Sequence, residues 1–273
     1  MFKAERSNST LGSTFSLLEL IYHATVRQLR KSHGNALVGL ILNMFQTMLL
    51  VLTFYIMFSV LGMRGNAIRG DFLLYIMSGI FLFMTHTKAM AAVFGAEGPT
   101  SQMMKHAPMT TAVAIAAAAL SSLYIQLLSM FVVLFVYHTA FTQFVIYDWV
   151  GALAMVFLSW FTGCAIGLVL FAAKPWAPDI IGVVQQVYSR ANMIASGKMF
   201  LANNLPHKML VLFNWNPLFH TIDQARGYTF INYTPHFSNW HYPLYVGLAL
   251  VMIGLMGEFY TRQYASISWG ARR

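Results

Sequence analysis

Charged residues make up only 9% of this 273-residue chain, far below the roughly 25% expected of a soluble domain. With 58% of residues hydrophobic, that shortage excludes a water-soluble globular protein, because most of the surface must face lipid. Cysteine is nearly absent too. The single cysteine, Cys164, excludes an intrachain disulfide and says nothing about redox compartment. Acidic side chains are missing from the apolar interior: Glu5, Glu19, Asp71, Glu97, Asp148, Asp179, Asp223 and Glu258 all fall in loops, in a surface helix or near span ends. Proton-coupled carriers place carboxylates within their spans, so coupling to a proton gradient is disfavoured.

Several chemistries lack the residues they need. Ile194-Ala195-Ser196-Gly197-Lys198-Met199 superficially resembles a phosphate-binding loop, but Asn192 stands where the first glycine belongs and Met199 where Ser or Thr would hold magnesium. The chain is therefore not expected to hydrolyse ATP. Its nine histidines are scattered, and the nearest outer pair, His236 and His241, has no carboxylate or thiol beside it, so no metal site is expected. No serine shares a helix face with a histidine and an acid, which removes support for nucleophilic catalysis. The 17 basic against 8 acidic residues could favour anionic lipid or an anionic substrate. Much of that excess is ordinary bias toward the cytoplasmic loops, and no nucleic-acid partner is expected.

What is present is long apolar sequence. A hydrocarbon core of about 30 Å needs roughly 20 helical residues, and six segments suffice: Ala36 to Gly62, Phe72 to Phe94, Met109 to Tyr137, Trp149 to Ala173, Ile180 to Leu201 and Tyr242 to Tyr260. These runs are continuously apolar, where the strands of a barrel would alternate, so the expected fold is an all-α integral membrane protein. With the N-terminus cytoplasmic, inside pieces carry Lys3, Arg6, Arg27, Arg30, Lys31, Lys105, Lys174, Arg262, Arg272 and Arg273. Outside pieces and span ends carry Arg64, Arg69, Lys198, Lys208 and Arg226. The imbalance obeys the positive-inside rule and places both termini in the cytoplasm. The first 34 residues have no compact apolar core, so the first span is expected to serve as its own insertion signal.

The N-terminal region, residues 1–34, contains an expected interfacial helix from Thr14 to Lys31. Leu18, Ile21, Tyr22, Thr25 and Leu29 recur at helical spacing, and Glu19, His23, Arg27 and Arg30 share another face. The six-helix unit, residues 35–273, has a structured loop between its second and third spans. There Gly95 to Pro99 breaks the helix and a short basic turn, Gln102 to His106, ends at Pro108. Such a loop can be a handle for a motor protein or a plain connector. Gly163 and Gly167, in a small-xxx-small arrangement, and the alanines of the third span predict close helix contact.

The fifth span and the sequence after it are unusual. Gln185, Gln186, Tyr188, Ser189, Arg190 and Asn192 lie near the middle of a span-length helix. Arg190 is about eleven residues from its cytoplasmic end, or about 17 Å at 1.5 Å per residue, too deep to snorkel easily. It either stabilises helix packing or supplies a polar point in a conduit. Lys88 is less than two turns from the end of its span at Phe94 and is expected to reach the headgroups. Past Lys198 the chain runs through Asn204-Leu205-Pro206 into Asn216-Pro217-Leu218-Phe219-His220 and on to Arg226, which reads as a broken, re-entrant outer hairpin between spans five and six. Ionisable residues and broken backbone at membrane depth survive where water or protein covers them, so a polar pathway explains both.

In this order of parts the chain resembles the permease subunits of ABC-2-type exporters, in the branch that moves capsular, O-antigen or teichoic-acid polysaccharide. The likeness spans nearly the whole length: the basic amphipathic helix, six spans, the Met104-Lys105-His106-Ala107-Pro108 loop, Ser196-Gly197-Lys198-Met199-Phe200, Asn204-Leu205-Pro206, and Asn216-Pro217-Leu218 with His220 and Arg226. Where those exporters often carry Leu-Gly-x-x-Trp with a proline five residues on, this chain has Val38-Gly39-Leu40-Ile41-Leu42 and Thr47.

The resemblance implies a homodimer in the bacterial inner membrane, driven by two copies of a cytoplasmic ABC ATPase that binds ATP and Mg, with no cofactor in this chain itself. It leaves room for a periplasmic adaptor and an outer-membrane channel. It assigns the substrate pathway to Gln185, Gln186, Tyr188, Ser189, Arg190 and Asn192. An outer gate falls to Phe200, Trp215, Asn216, Pro217, Phe219, His220, Arg226 and Tyr228, and ATPase coupling to Arg27, Arg30, Lys31, Gly98, Lys105, His106 and Pro108. An ABC-2 exporter of a small molecule or lipid, a membrane-embedded transferase and a gradient-driven carrier are the competing readings.

Overall fold

The computed structural model describes residues 10–31, 36–60, 62, 71–98 and 110–264, and their regular structure is helical, with no strand among them. In chain order the helices are α1 (Thr10–Lys31), α2 (Ala36–Val60), α3 (Phe72–Phe94), α4 (Thr111–Ala140), α5 (Trp149–Ala173), α6 (Pro178–Ala195), α7 (His207–Phe213), α8 (Pro217–Thr229) and α9 (His241–Tyr264). Five are long and apolar enough to cross a membrane: α2 from Val38, α3, α4, α5 and α9. The protein is thus a multi-pass helical membrane protein. The expected span from Ile180 to Leu201 is shorter than the sequence suggested. Its helix stops at Ala195, and its polar residues keep it out of the apolar set.

Side chains preceding each helix fix its start. Asp71 accepts the Leu73 and Leu74 N–H groups at the head of α3, and Asp148 those of Val150 and Gly151 at the head of α5. Thr110 accepts from Val113 ahead of α4, and Asn216 from Leu218 ahead of α8. Each contact satisfies N–H groups that the first turn leaves without an intrahelical partner. Proline stands at the first position of both α6 and α8, where its missing N–H costs nothing.

The bundle is organised around α3. In its most apolar stretch 78% of residues are buried, against 22% in α2 and 17% in α9, so α3 is the central helix and those two expose most of their surface. One long core cluster joins Phe54 and Phe58 of α2, Ile76 and Ile80 of α3, Val133 of α4, Val156 of α5 and Ile222 of α8. The close approach of α5 to α3 depends on the two glycines singled out above. A Cβ on Gly163 would collide with the His86 carbonyl oxygen, and one on Gly167 would lie 2.7 Å from that of Met90. Gly247 and Gly254 of α9 likewise meet Phe161 and Leu168 of α5.

The amphipathic α1 packs on α4 through Leu20, Ile21 and Ala24 against Val113 and Ala117. Its contact face is rotated from the expected one, since Leu18 and Tyr22 stay exposed. Arg27 and Arg30 are exposed, Lys31 closes the helix with its side chain outside the described residues, and Gly98 is half-buried just past α3. Lys105, His106 and Pro108 lie outside the described residues.

Candidate functional site

Gln186 and Arg190 are one turn apart on α6 and both exposed, flanked on that open face by Val183, Val187 and Ile194. Behind them Gln185 and Ser189 are half-buried and 3.5 Å apart. The helix is anchored to the bundle by its other face. The Tyr188 hydroxyl reaches Nε2 of His86 at 3.1 Å, and Nδ1 of that histidine lies 3.1 Å from both the Ser159 carbonyl and the Thr162 hydroxyl of α5. His86 is fully buried in α3, so three helices meet at one imidazole.

At its far end α6 is tied to α8. Asn216 Nδ2 donates to Asn192 Oδ1 at 2.7 Å and to the Ala195 carbonyl at 3.1 Å, while its Oδ1 caps α8. The chain reverses at Gly197, whose φ of 76° lies in the left-handed region that glycine adopts freely. A Cβ at Gly197 would also lie 2.8 Å from the Phe219 ring. A short 3-10 turn, Ala202–Asn204, and α7 complete the reversal before Pro217 starts α8.

Arg226 locks this reversal. Nη1 donates to the carbonyls of Gly197 and Phe200 at 2.8 and 2.7 Å, and Nη2 to that of Lys198 at 2.7 Å. Its guanidinium carbon sits 4.3 Å from the Tyr75 ring centroid, and the residue is 1% exposed. Gly197 O also takes the Phe200 N–H at 3.3 Å within the turn, and the fork of Arg226 adds donors to carbonyls that lie outside any helix. Gly79 leaves the room, because a Cβ there would lie 2.9 Å from Nη2. Lys198 is buried too, its ammonium 3.6 Å from the centroid of Phe83 and 4.9 Å from that of Phe54. That ammonium has no hydrogen-bond partner among the described residues.

Beyond α8 the network continues. Asp223 accepts hydrogen bonds from the Tyr233 hydroxyl and from Ser238 Oγ, the latter at 2.7 Å. Burial, with the Asp223 carboxylate next in effect, pushes the Tyr233 hydroxyl well above its ordinary pKa. His220 Nδ1 accepts the Asn239 N–H at 3.2 Å, which leaves Nε2 as the protonated nitrogen donating to the Asn214 carbonyl at 2.6 Å.

The eight residues assigned to the outer gate therefore divide. Asn216, Pro217, Phe219, His220 and Arg226 are buried inside the α6 to α8 connection. Phe200 and Tyr228 are half-buried, Phe200 stacking on Phe213 at 5.3 Å, and Trp215 is 69% exposed. The six pathway residues divide as well: Gln186 and Arg190 face outward, Tyr188 and Asn192 hold α6 in place, and Gln185 and Ser189 lie between. Sequence reasoning passed over His86, Ser159, Thr162 and Asp223. The available signal was Thr85-His86-Thr87-Lys88, a polar run inside an apolar span. Lys88 itself reaches across to α2, donating to Gln46 Oε1 at 2.8 Å. In comparisons with known proteins, no family model and no curated sequence matches this chain.

Proposed function

We propose that this chain is the permease subunit of an ATP-driven exporter of lipid-linked capsular or cell-surface polysaccharide across the bacterial inner membrane. It works as a homodimer with two copies of a cytoplasmic ABC ATPase, and α6 counts as a sixth span because its polar face is covered by the partner subunit and by water. The observation that carries this reading is the open face of α6. Gln186 and Arg190 project from a helix that the bundle grips only from behind, through His86, Asn192 and Asn216. A polar face at membrane depth needs a wet cavity or a second protein surface, and a twofold copy of α6 supplies both.

Closure of the ATPases pushes on α1 and on the loop after Gly98. The packing of Ala24 against Val113 and Ala117 supports transmission of that push into α4. Gln186 and Arg190 then replace water around sugar hydroxyls and acidic groups, binding each unit weakly enough for the polymer to slide. Exposed Trp215 and half-buried Phe200 and Tyr228 are stacking surfaces at the exit.

The test is purification of the chain with the ATPase it works with, followed by polymer export in vesicles. A stable complex is expected, and Arg190→Ala should abolish ATP-dependent export while leaving assembly intact. Normal export by that variant would remove Arg190 from the pathway. Export by a monomer lacking any ATPase would end the reading.

A further inference from the structure

A second polar region lies away from α6, in a cleft of about 540 Å³ walled by α1, α2, α3 and α4. Its floor is cross-linked: Gln126 Nε2 donates to Asn43 Oδ1 at 2.9 Å, and Asn43 Nδ2 donates to Ser129 Oγ at 2.9 Å. Ser121 and Ser122 direct their hydroxyl hydrogens to the carbonyls of Ala118 and Ala119. Among the lining residues the one charged group is a donor, Lys88, with the amide oxygens of Gln28 and Gln126 as neutral acceptors. Lys88 uses one of its three N–H bonds on Gln46 Oε1, and no described carboxylate lies within ion-pair distance of it. The side-chain amides of Gln46 and Gln28 bring further N–H groups to the same cleft.

One uncompensated ammonium beside several amide N–H groups, with no competing acid, is matched by an anion offering several acceptor oxygens. Leu42 and Ile125 add an apolar wall, and Leu42 is itself exposed toward the surroundings of the bundle. The basic residues Arg27 and Arg30 of α1 are exposed close in sequence to Gln28, which favours an anionic membrane surface. We propose that this cleft binds a phosphate group, presented by an anionic phospholipid whose chain lies along Leu42 and Ile125 while Lys88, Gln46 and Gln28 hold the headgroup. The site is independent of the conduit assigned to α6, so either can fail without the other.

The test uses the purified full-length chain reconstituted in phosphatidylethanolamine with and without phosphatidylglycerol, with retained lipid counted by native mass spectrometry. The unmodified chain should retain phosphatidylglycerol selectively. Lys88→Gln should weaken that retention about tenfold and Gln46→Leu about threefold, as expected for loss of a charge-assisted and a neutral donor. Lys208→Gln, on exposed α7, should change nothing. Displacement by inorganic phosphate in a Lys88-dependent manner, without selective retention of phosphatidylglycerol, would keep the phosphate site and replace its lipid source by the free ion. Equal retention by all variants would overturn the proposal. Should Lys88→Gln fail to fold, Gln46→Leu decides the matter on a folded chain.

Discussion

α3 and α6 both carry polar side chains through the middle of the protein, yet they are treated in opposite ways. In α3, Ser78 donates to the carbonyl of Tyr75, and His86 is enclosed by α5 and α6. Most of α3 is met by other helices of the same subunit, and Ser78 and His86 are settled there, while Lys88 near its end keeps only the Gln46 contact among the described residues. On α6, Tyr188 and Asn192 are settled in the same way, but Gln186 and Arg190 are left outside. The contrast separates polar residues that hold a membrane protein together from polar residues that need something beyond the subunit. Type and depth do not distinguish them; the presence of a partner does.

The two arginines give the sharpest way to break that contrast. Arg226→Ala removes three hydrogen bonds from buried carbonyls in the α6 to α8 reversal and empties the space beside Tyr75. The expected loss is about 3 to 5 kcal/mol, seen as a collapse of the thermal midpoint in detergent. Arg226→Lys should not rescue it, because a point charge cannot reach three diverging acceptors. Arg190→Ala should change stability by no more than about 0.5 kcal/mol, so its effect should appear in export alone. Equal destabilisation by both would erase the distinction between the helices.

Next in size is the packing that encloses α3. Gly163→Leu sets a side chain against the backbone of His86, where even a Cβ has no room. Forcing α5 away from α3 should cost about 1 to 3 kcal/mol and should loosen the His86 link to Thr162. An unchanged midpoint would mean that the two helices can separate freely, and α3 would no longer be the fixed centre.

Much of this arrangement was legible in the sequence, for physical reasons that also mark where legibility stops. Continuous apolar runs specify spanning helices because lipid demands them; the caps Asp71, Asp148 and Asn216 stand immediately before their helices, but the apolar runs alone place the span starts. Gly163 and Gly167 announced a close contact because small residues have few other uses inside a span. The role of His86 could not be read, since its partners stand 73, 76 and 102 residues away. Nor could Arg226 be told from a pathway arginine. Its acceptors are backbone carbonyls, which no side-chain pattern reveals. The end of α6 at Ala195 was signalled by Ser196-Gly197, but the apolar residues after it extended the apparent span.

A smaller test addresses the attachment of α6. Tyr188→Phe keeps the ring beside His86, whose centroid is 6.0 Å away, and deletes only the hydroxyl. One buried hydrogen bond is lost, for about 1 kcal/mol. Hydrogen exchange along α6 should rise while that of α3 stays fixed. Equal rises would mean that the two helices open together, and the division between an enclosed helix and an open one would fail.

The smallest expected effect concerns His220, which belongs with the settled groups although it lies in the connection and not in a span. Burial pushes its pKa below the ordinary 6.5, against the raising influences of the Asn214 carbonyl and then of Asp223. The folded chain therefore holds the neutral ring, and as pH falls the unfolded chain takes up a proton first. The stability this contributes is whole above 6.5 and is lost progressively as pH drops below it toward the folded value. His220→Gln retains a side-chain N–H but has nothing to titrate, so it should flatten the fall in thermal midpoint as pH drops below 6.5. Parallel profiles for the two proteins would mean that water reaches the imidazole and that α8 is open where Trp215 is, which would move it to the same side of the comparison as the outer face of α6.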